Sequence, residues 1–310
     1  MRSLALRWLV VVVLLASGAV GRAAQDTVTV EELLHAGRLW VQANLDETTL
    51  HSLGADPQAL DRLLQQFQQR LQGGYVVDLA ALKATAQALV PLLEAHEETQ
   101  PYAAWLKSRL DYLEVAEQLR PPATPGKAAP ATPSNPTAEQ ARKVWRKQLQ
   151  ARPWPKGAQT LVPVLKPLFL AQGVPAQLVW LAEVESTFDP AARSPAGALG
   201  LFQLMPTTAR AQGLSLWPRD QRRDPEKSAT AAARQLHALH HQFKDWRLAL
   251  AAYNAGAGRV AGLLQKSKAK TFDAIAPRLP AETQMYVPKV EAVLLKREGV
   301  LIGGLQSRAN

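Results

Sequence analysis

Residues 175–186 read PAQLVWLAEVES. After the opening proline, which suits the first position of a helix, Leu178, Val179, Trp180, Leu181, Ala182 and Val184 leave no polar face, so the spacing predicts a helix buried on all sides. Two carboxylates, Glu183 and Glu185, sit inside that apolar turn. A carboxyl there is short of hydration, its charged form is disfavoured and its pKa rises, which suits a general acid. Two positions on a helix are separated by about 200° of rotation, so both cannot face one cleft. Periodicity does not say which one does, and ion pairs with the abundant Lys and Arg at a helix rim are the alternative for both. Asp189, next to Pro190, is read as a turn residue rather than a second catalytic carboxylate.

Outward from this stretch the pattern stays helical and no convincing alternating strand occurs. Turn-rich segments at 152–157, 189–200 and 213–225 interrupt it, and long loops between helices tend to carry binding or catalytic groups. Upstream, residues 121–136 (PPATPGKAAPATPSNP) hold six prolines and almost no large apolar side chain, which predicts an extended spacer. Before the spacer, Asp56-Pro57 reads as a cap and first turn, and three apolar stripes follow at helical spacing. They are Leu60, Leu63, Leu64, Phe67 and Leu71; Leu79, Leu82, Ala86, Leu89 and Leu93; and Tyr102, Trp105, Leu106, Leu110 and Leu113. These predict a small helical bundle with its own core, separated by the spacer from the half that carries the chemistry.

The chain has 310 residues, 47% of them hydrophobic, twice the usual length of one domain and enough apolar mass for cores. Without a cysteine, disulfide scaffolds, thiolate metal sites and thiol nucleophiles are excluded. Residues 25–120 carry 7 Lys/Arg against 14 Asp/Glu, whereas 139–310 carry 25 against 12, so a polyanionic partner would meet the C-terminal half. Arg2 and Arg7 precede the apolar run from Trp8 to Ala16, too short to span a bilayer, and Gly21 and Ala23 fit a small-x-small cleavage site. The expectation is a signal peptide over 1–23, with an uncleaved anchor as the alternative. Export argues against nucleic acid as the partner. His237, His240 and His241 lack the companion ligands of a metal site and are read as a solvated helix face; His35, His51 and His96 are isolated. Lys266, Lys268 and Lys270 are read as a solvated loop.

Four blocks then occur in order: Glu185-Ser186 closing the buried helix, Gly200-Leu201-Phe202-Gln203-Leu204-Met205-Pro206, Ala252-Tyr253-Asn254-Ala255-Gly256, and Glu282-Thr283-Gln284-Met285-Tyr286-Val287. With Ser194-Pro195-Ala196-Gly197-Ala198 between the first two, this resembles the soluble lytic transglycosylase family, glycoside hydrolase family 23, related to goose-type lysozyme. The resemblance covers roughly 140–300. It implies a lysozyme-like α-helical catalytic domain over 139–303 and says nothing of the N-terminal half. There the apolar stripes and the prolines give a small helical bundle over 24–119 and a Pro-rich linker over 120–138, so that the expected fold is all-α, with a tail over 304–310. The resemblance implies cleavage of the β-1,4 bond between N-acetylmuramic acid and N-acetylglucosamine in peptidoglycan, with 1,6-anhydromuramoyl ends. Glu185 would be the acid/base; Ser194, Gln203, Met205, Tyr253, Asn254 and Tyr286 would bind substrate or shape the cleft. No cofactor or metal is called for. The partners expected are glycan strands and, through the N-terminal bundle, a cell-wall or envelope protein, in the periplasm. A hydrolytic lysozyme and a non-catalytic wall-binding protein are the alternative readings.

Overall fold

The computed structural model describes residues 57–94, 97–120 and 134–305. The expected signal peptide, most of the proline-rich spacer, His35, His51 and His96 lie outside these. Among the described residues the regular structure is helical, and extended pairing is limited to the isolated bridges Arg193–Leu199 and Leu199–Leu204. None of these helices is long and apolar enough to cross a membrane.

Before the spacer lie α1 (Pro57–Leu71), α2 (Val76–Leu79), α3 (Lys83–Glu94) and α4 (Gln100–Gln118). Most of the stripes read from the sequence are buried, Leu64, Phe67 and Leu71 on α1, Leu79, Leu82, Ala86, Leu89 and Leu93 from α2 to α3, and Trp105, Leu106 and Leu113 on α4, while Leu63, Tyr102 and Leu110 are half-buried against the same core. After it come α5 (Ala138–Leu149), α6 (Ala158–Ala171), a 3₁₀ turn at Ala176–Trp180 leading into α7 (Leu181–Ser186), α8 (Pro206–Ala211), α9 (Pro225–Phe243), α10 (Trp246–Ala255), α11 (Ala257–Ser267), α12 (Phe272–Ile275) and α13 (Ala281–Glu298). Local chemistry fixes several starts. Thr137 and Gln140 form a reciprocal capping box at α5, Asp224 caps α9 ahead of Pro225, and Asp245 caps α10.

The long helix α13 is the centre. Every residue from Ala281 to Leu294 is buried, and α2, α5, α7 and α10 pack around it. A helix enclosed on all sides must neutralise its own charges, and this one does so: Glu282 meets Arg109, Lys289 meets Asp111, and Glu291 meets Arg142 and Arg247.

Two of those partners come from α4, and this changes the picture drawn from the spacer. One continuous apolar cluster runs from Leu64 to Ile302, so the helices on the two sides of the spacer share a core rather than owning one each. Besides the α4 contacts with α5 and α7, Ala281 donates its amide to the Gly73 carbonyl at 2.7 Å, and Asn135 donates to the carbonyls of both Gly74 and Pro277. A proline-rich stretch breaks the chain's secondary structure; it does not forbid the flanking apolar faces from burying one another.

A shared core should melt as one unit. Leu106→Ala on α4, a fully buried site, is expected to cost about 2–5 kcal/mol and to lower a single calorimetric transition that includes the C-terminal half. Two resolved transitions, with only the earlier one moved, would mean the cores are separate.

Candidate active site

The helix predicted from residues 175–186 begins as a 3₁₀ turn and becomes α-helical only from Leu181. All six residues of α7 are buried, so both glutamates point into protein. Their partners separate them. Glu183 is held in a two-pronged ion pair by Arg297, Nη2 to Oε1 at 2.8 Å and Nε to Oε2 at 2.9 Å, and that guanidinium also donates to the carbonyls of Arg152 and Pro153. Both its oxygens are committed to structure.

Glu185 has a different environment. It is 4% exposed, its Oε1 accepts from the Tyr286 hydroxyl at 2.6 Å, and its Oε2 stands 3.6 Å from Arg109 Nη2. Burial raises its pKa to about 7, against the opposing effects of the Arg109 charge and the Tyr286 hydrogen bond; Glu282 adds to the rise and Lys289 opposes it. It is therefore a carboxyl that stays protonated up to neutrality and has a fixed cation waiting for its charged form. Tyr253 and Tyr286 have pKa values raised by burial and by the neighbouring Glu185, so both are neutral donors at physiological pH.

Around it, Ser186 ties α7 to the 187–205 loop, its hydroxyl donating to the Leu201 carbonyl at 2.9 Å. Asp189 accepts from the Ala191 amide at 2.7 Å, the turn role expected of it. Ser194 is buried and accepts from the Ala198 amide at 2.9 Å, closing the 194–198 turn. Gln203, whose φ is +46°, donates its Nε2 to the carbonyls of Ala192 and Gly200, which fixes the amide so that Oε1 is a buried acceptor without a partner. Tyr253 donates to the Phe202 carbonyl at 2.8 Å, and Asn254 accepts from Thr283 at 2.7 Å. These bonds join the four sequence blocks to one another. Met205 is 39% exposed at the start of α8. Gly200 has φ +85° and lies so close to the Arg222 carbonyl that a Cβ would land on it, so only glycine fits there.

Among the described residues no cluster of His, Asp or Glu could hold a metal ion. Of the three histidines on α9, His240 stacks on Trp246 with ring centroids 3.9 Å apart, a packing role rather than the solvated one expected.

Three buried groups next to the site escape a motif-based reading: Arg109 and Asp111 on α4, and Lys289 on α13. Lys289 donates to Asp111 and to the Ser108 carbonyl, and burial lowers its pKa to about 8 while Asp111 raises it. A signal existed for Arg109: it lies four residues after Trp105 and three after Leu106, on the apolar stripe of its helix, where an unpartnered charge would be costly.

Residues 171–276 match the family described as Transglycosylase SLT domain, a segment that includes Glu185, Ser194, Gln203, Met205, Tyr253 and Asn254 but neither Tyr286 nor Arg109. Membrane-bound lytic murein transglycosylase D of Escherichia coli K12 is 44% identical over 126 residues, covering 39% of this chain and 28% of the relative. The soluble lytic murein transglycosylase of Salmonella typhimurium is 37% identical over 121 residues, 36% of this chain and 19% of that protein. The match thus spans less than a third of either relative's length. The crystal structure of the 70 kDa soluble lytic transglycosylase of E. coli aligns with 83% of this chain and 44% of its own, at 21% identity and a TM-score of 0.42.

The raised pKa of Glu185 has a stability consequence. Between the unfolded value near 4.5 and the folded value near 7 the native state holds the extra proton, so stability falls as pH rises through that window. Glu185→Gln, which cannot ionise, should equal wild type in Tm near pH 4.5 and exceed it increasingly up to pH 8. A gap that does not change with pH would show that Glu185 titrates like an exposed carboxyl.

Proposed function

We propose that the protein is a peptidoglycan lytic transglycosylase in which Glu185 serves as both general acid and general base. The observation that carries this reading is a buried carboxyl whose pKa is raised to about 7, held by the Tyr286 hydroxyl at 2.6 Å and only loosely approached by Arg109 at 3.6 Å, unlike Glu183 with its two-pronged ion pair. The names of the relatives and the SLT segment support the same chemistry.

In the first step Glu185 gives its proton to the oxygen leaving C1 of the muramoyl residue, and the bond to N-acetylglucosamine breaks with oxocarbenium character at C1. The carboxylate formed is met by the Tyr286 hydroxyl and the Arg109 charge. In the second step it takes the proton from the muramoyl C6 hydroxyl as that oxygen attacks C1, closing the 1,6-anhydro ring and restoring protonated Glu185. The nucleophile belongs to the substrate, and well-oriented intramolecular attack is worth about 7–11 kcal/mol of barrier, which offsets the missing second catalytic carboxylate. Glu282 does not fill that place, since its oxygens are taken by Arg109 and Gln72.

For the other residues, the orphaned Gln203 Oε1 suits an acetamido N–H or a sugar hydroxyl, and exposed Met205 supplies apolar cleft wall. Ser194, Tyr253 and Asn254 brace the walls through the bonds described above while lying on positions that face glycan. The basic C-terminal half suits a polymer bearing peptide carboxylates. An exported, periplasmic location fits this substrate, with residues 1–23 as the signal peptide and glycan strands as the partner; the N-terminal helices present the surface for an envelope protein.

On purified sacculi, wild type should release 1,6-anhydromuramoyl products detectable by mass spectrometry. Glu185→Gln should remain folded and lose at least about 10²–10⁴-fold in turnover, the usual worth of a general acid-base group. Glu183→Gln should instead lose stability through the broken Arg297 pair. Reducing ends from wild type would identify a hydrolase, and a Glu183→Gln protein that is stable but inert would move the acid to the other carboxyl.

A further inference from the structure

We propose that Arg109, which lies outside the SLT segment on a helix preceding the spacer, is a positioning residue of the catalytic centre: it clamps the Glu185 turn to the start of α13 and supplies the fixed positive charge that the general acid needs once its proton has left. The proposal rests on the reading of Glu185 given above.

Arg109 is 5% exposed, and its fork reaches two elements at once. Nη1 donates to the Glu185 main-chain carbonyl at 2.6 Å and to Ser108 Oγ at 2.6 Å; Nε donates to Glu282 Oε1 at 3.2 Å; Nη2 stands 3.6 Å from Glu185 Oε2. The shortest contact to Glu185 is thus to its backbone. That bond fixes where the residue sits, while the carboxyl keeps its proton and feels the charge without being locked into a salt bridge. The guanidinium also lies against the Trp105 ring, 5.5 Å from its centre, which holds its plane.

The other end of the clamp is the first turn of α13. Glu282 Oε2 accepts from Gln72 at 3.0 Å, the Ala281 amide donates to Gly73, and Gln284 donates to Gly74 at 3.0 Å. Residues 72–74 and 109 together hold that turn, and Tyr286, one turn further on, is the hydroxyl that contacts Glu185. The distance between acid and tyrosine is therefore set from the N-terminal side of the spacer.

Charge accounting gives the second half of the role. With Glu185 protonated, Arg109 and Glu282 form a neutral pair. When Glu185 loses its proton, one guanidinium faces two carboxylates, with Lys289, itself paired with Asp111, as the next cation and the neutral phenols of Tyr112, Tyr253 and Tyr286 completing the shell. Without Arg109 the ionised state would sit beside Glu282 uncompensated. A lysine could restore the charge, but its compact head could not reach all three acceptors.

The test uses the full chain. In Arg109→Gln the alkaline limb of the kcat/KM profile, set by loss of the Glu185 proton, should move up by about one pH unit or more, with turnover down at least tenfold. Arg109→Lys should keep the limb near wild type and recover part of the turnover. Glu282→Gln should move the limb the opposite way, downward, because a negative neighbour is removed. A ¹³C-NMR titration of the Glu185 carboxyl, assigned by its loss in Glu185→Gln, reads the same shifts without activity. A folded Arg109→Gln whose limb and titration stay in place overturns the proposal. If that variant does not fold, Arg109→Lys and Glu282→Gln decide it: a limb that stays or rises in Glu282→Gln, or falls to the inert level in Arg109→Lys, overturns it. Carboxyl titrations that shift as expected while kcat/KM does not follow them uphold the role of Arg109 and refute Glu185 as the acid.

Discussion

Ionising Glu185 inside an apolar turn costs the hydration that a surface carboxylate enjoys, and the interior of this protein is arranged around that cost. Burial alone would push its pKa higher still; the Arg109 charge and the Tyr286 hydroxyl pull the other way, and the balance falls at about 7. In the acid-base role proposed for Glu185 a group works best with its pKa near the operating pH, so the competition between desolvation and one well-placed cation matters more than either alone.

The same logic extends along α13. A helix with fourteen consecutive buried residues could have been wholly apolar, yet it carries Glu282, Lys289 and Glu291, each answered by side chains from other elements. Buried pairs of this kind contribute little net stability relative to apolar residues of equal volume, because desolvation offsets much of the attraction. Their geometric effect is stronger. Each pair is satisfied in one rotation and one axial position of the helix, so together they fix α13 to the register that points Tyr286 at Glu185.

How much of this was legible in the sequence depends on whether the information was local. Apolar stripes such as Leu79 to Leu93 and caps such as Thr137 with Gln140 are written within one or two turns, and the helices and their buried faces followed from them. The choice between Glu183 and Glu185 was not local: in a helix buried on all sides both point inward, and what separates them is Arg297, more than a hundred residues away. The ordered motif blocks singled out Glu185 only by resemblance. The spacer was misleading for a related reason. Six prolines determine backbone conformation where they stand, but whether the flanking helices share a core depends on complementary faces that no window spans. Arg109 combined both cases: its place on an apolar stripe was visible, but its carboxylate partners were not.

Gln72 and Arg109 bond to Glu282 across 210 and 173 residues of chain. Loop closure over such spans costs only slightly more than over half the length, about 0.6 kcal/mol per doubling, so stability tolerates the arrangement. Folding order does not escape it. Long-range contacts form late, and these join α4 and the residues following α1 to α13, so the surroundings of Glu185 come into being only when these elements are all present and docked. For the wall-cutting activity proposed above, that would act as an assembly-timed safeguard: a chain without α13 in place carries Glu185 but not the surroundings that raise and hold its carboxyl.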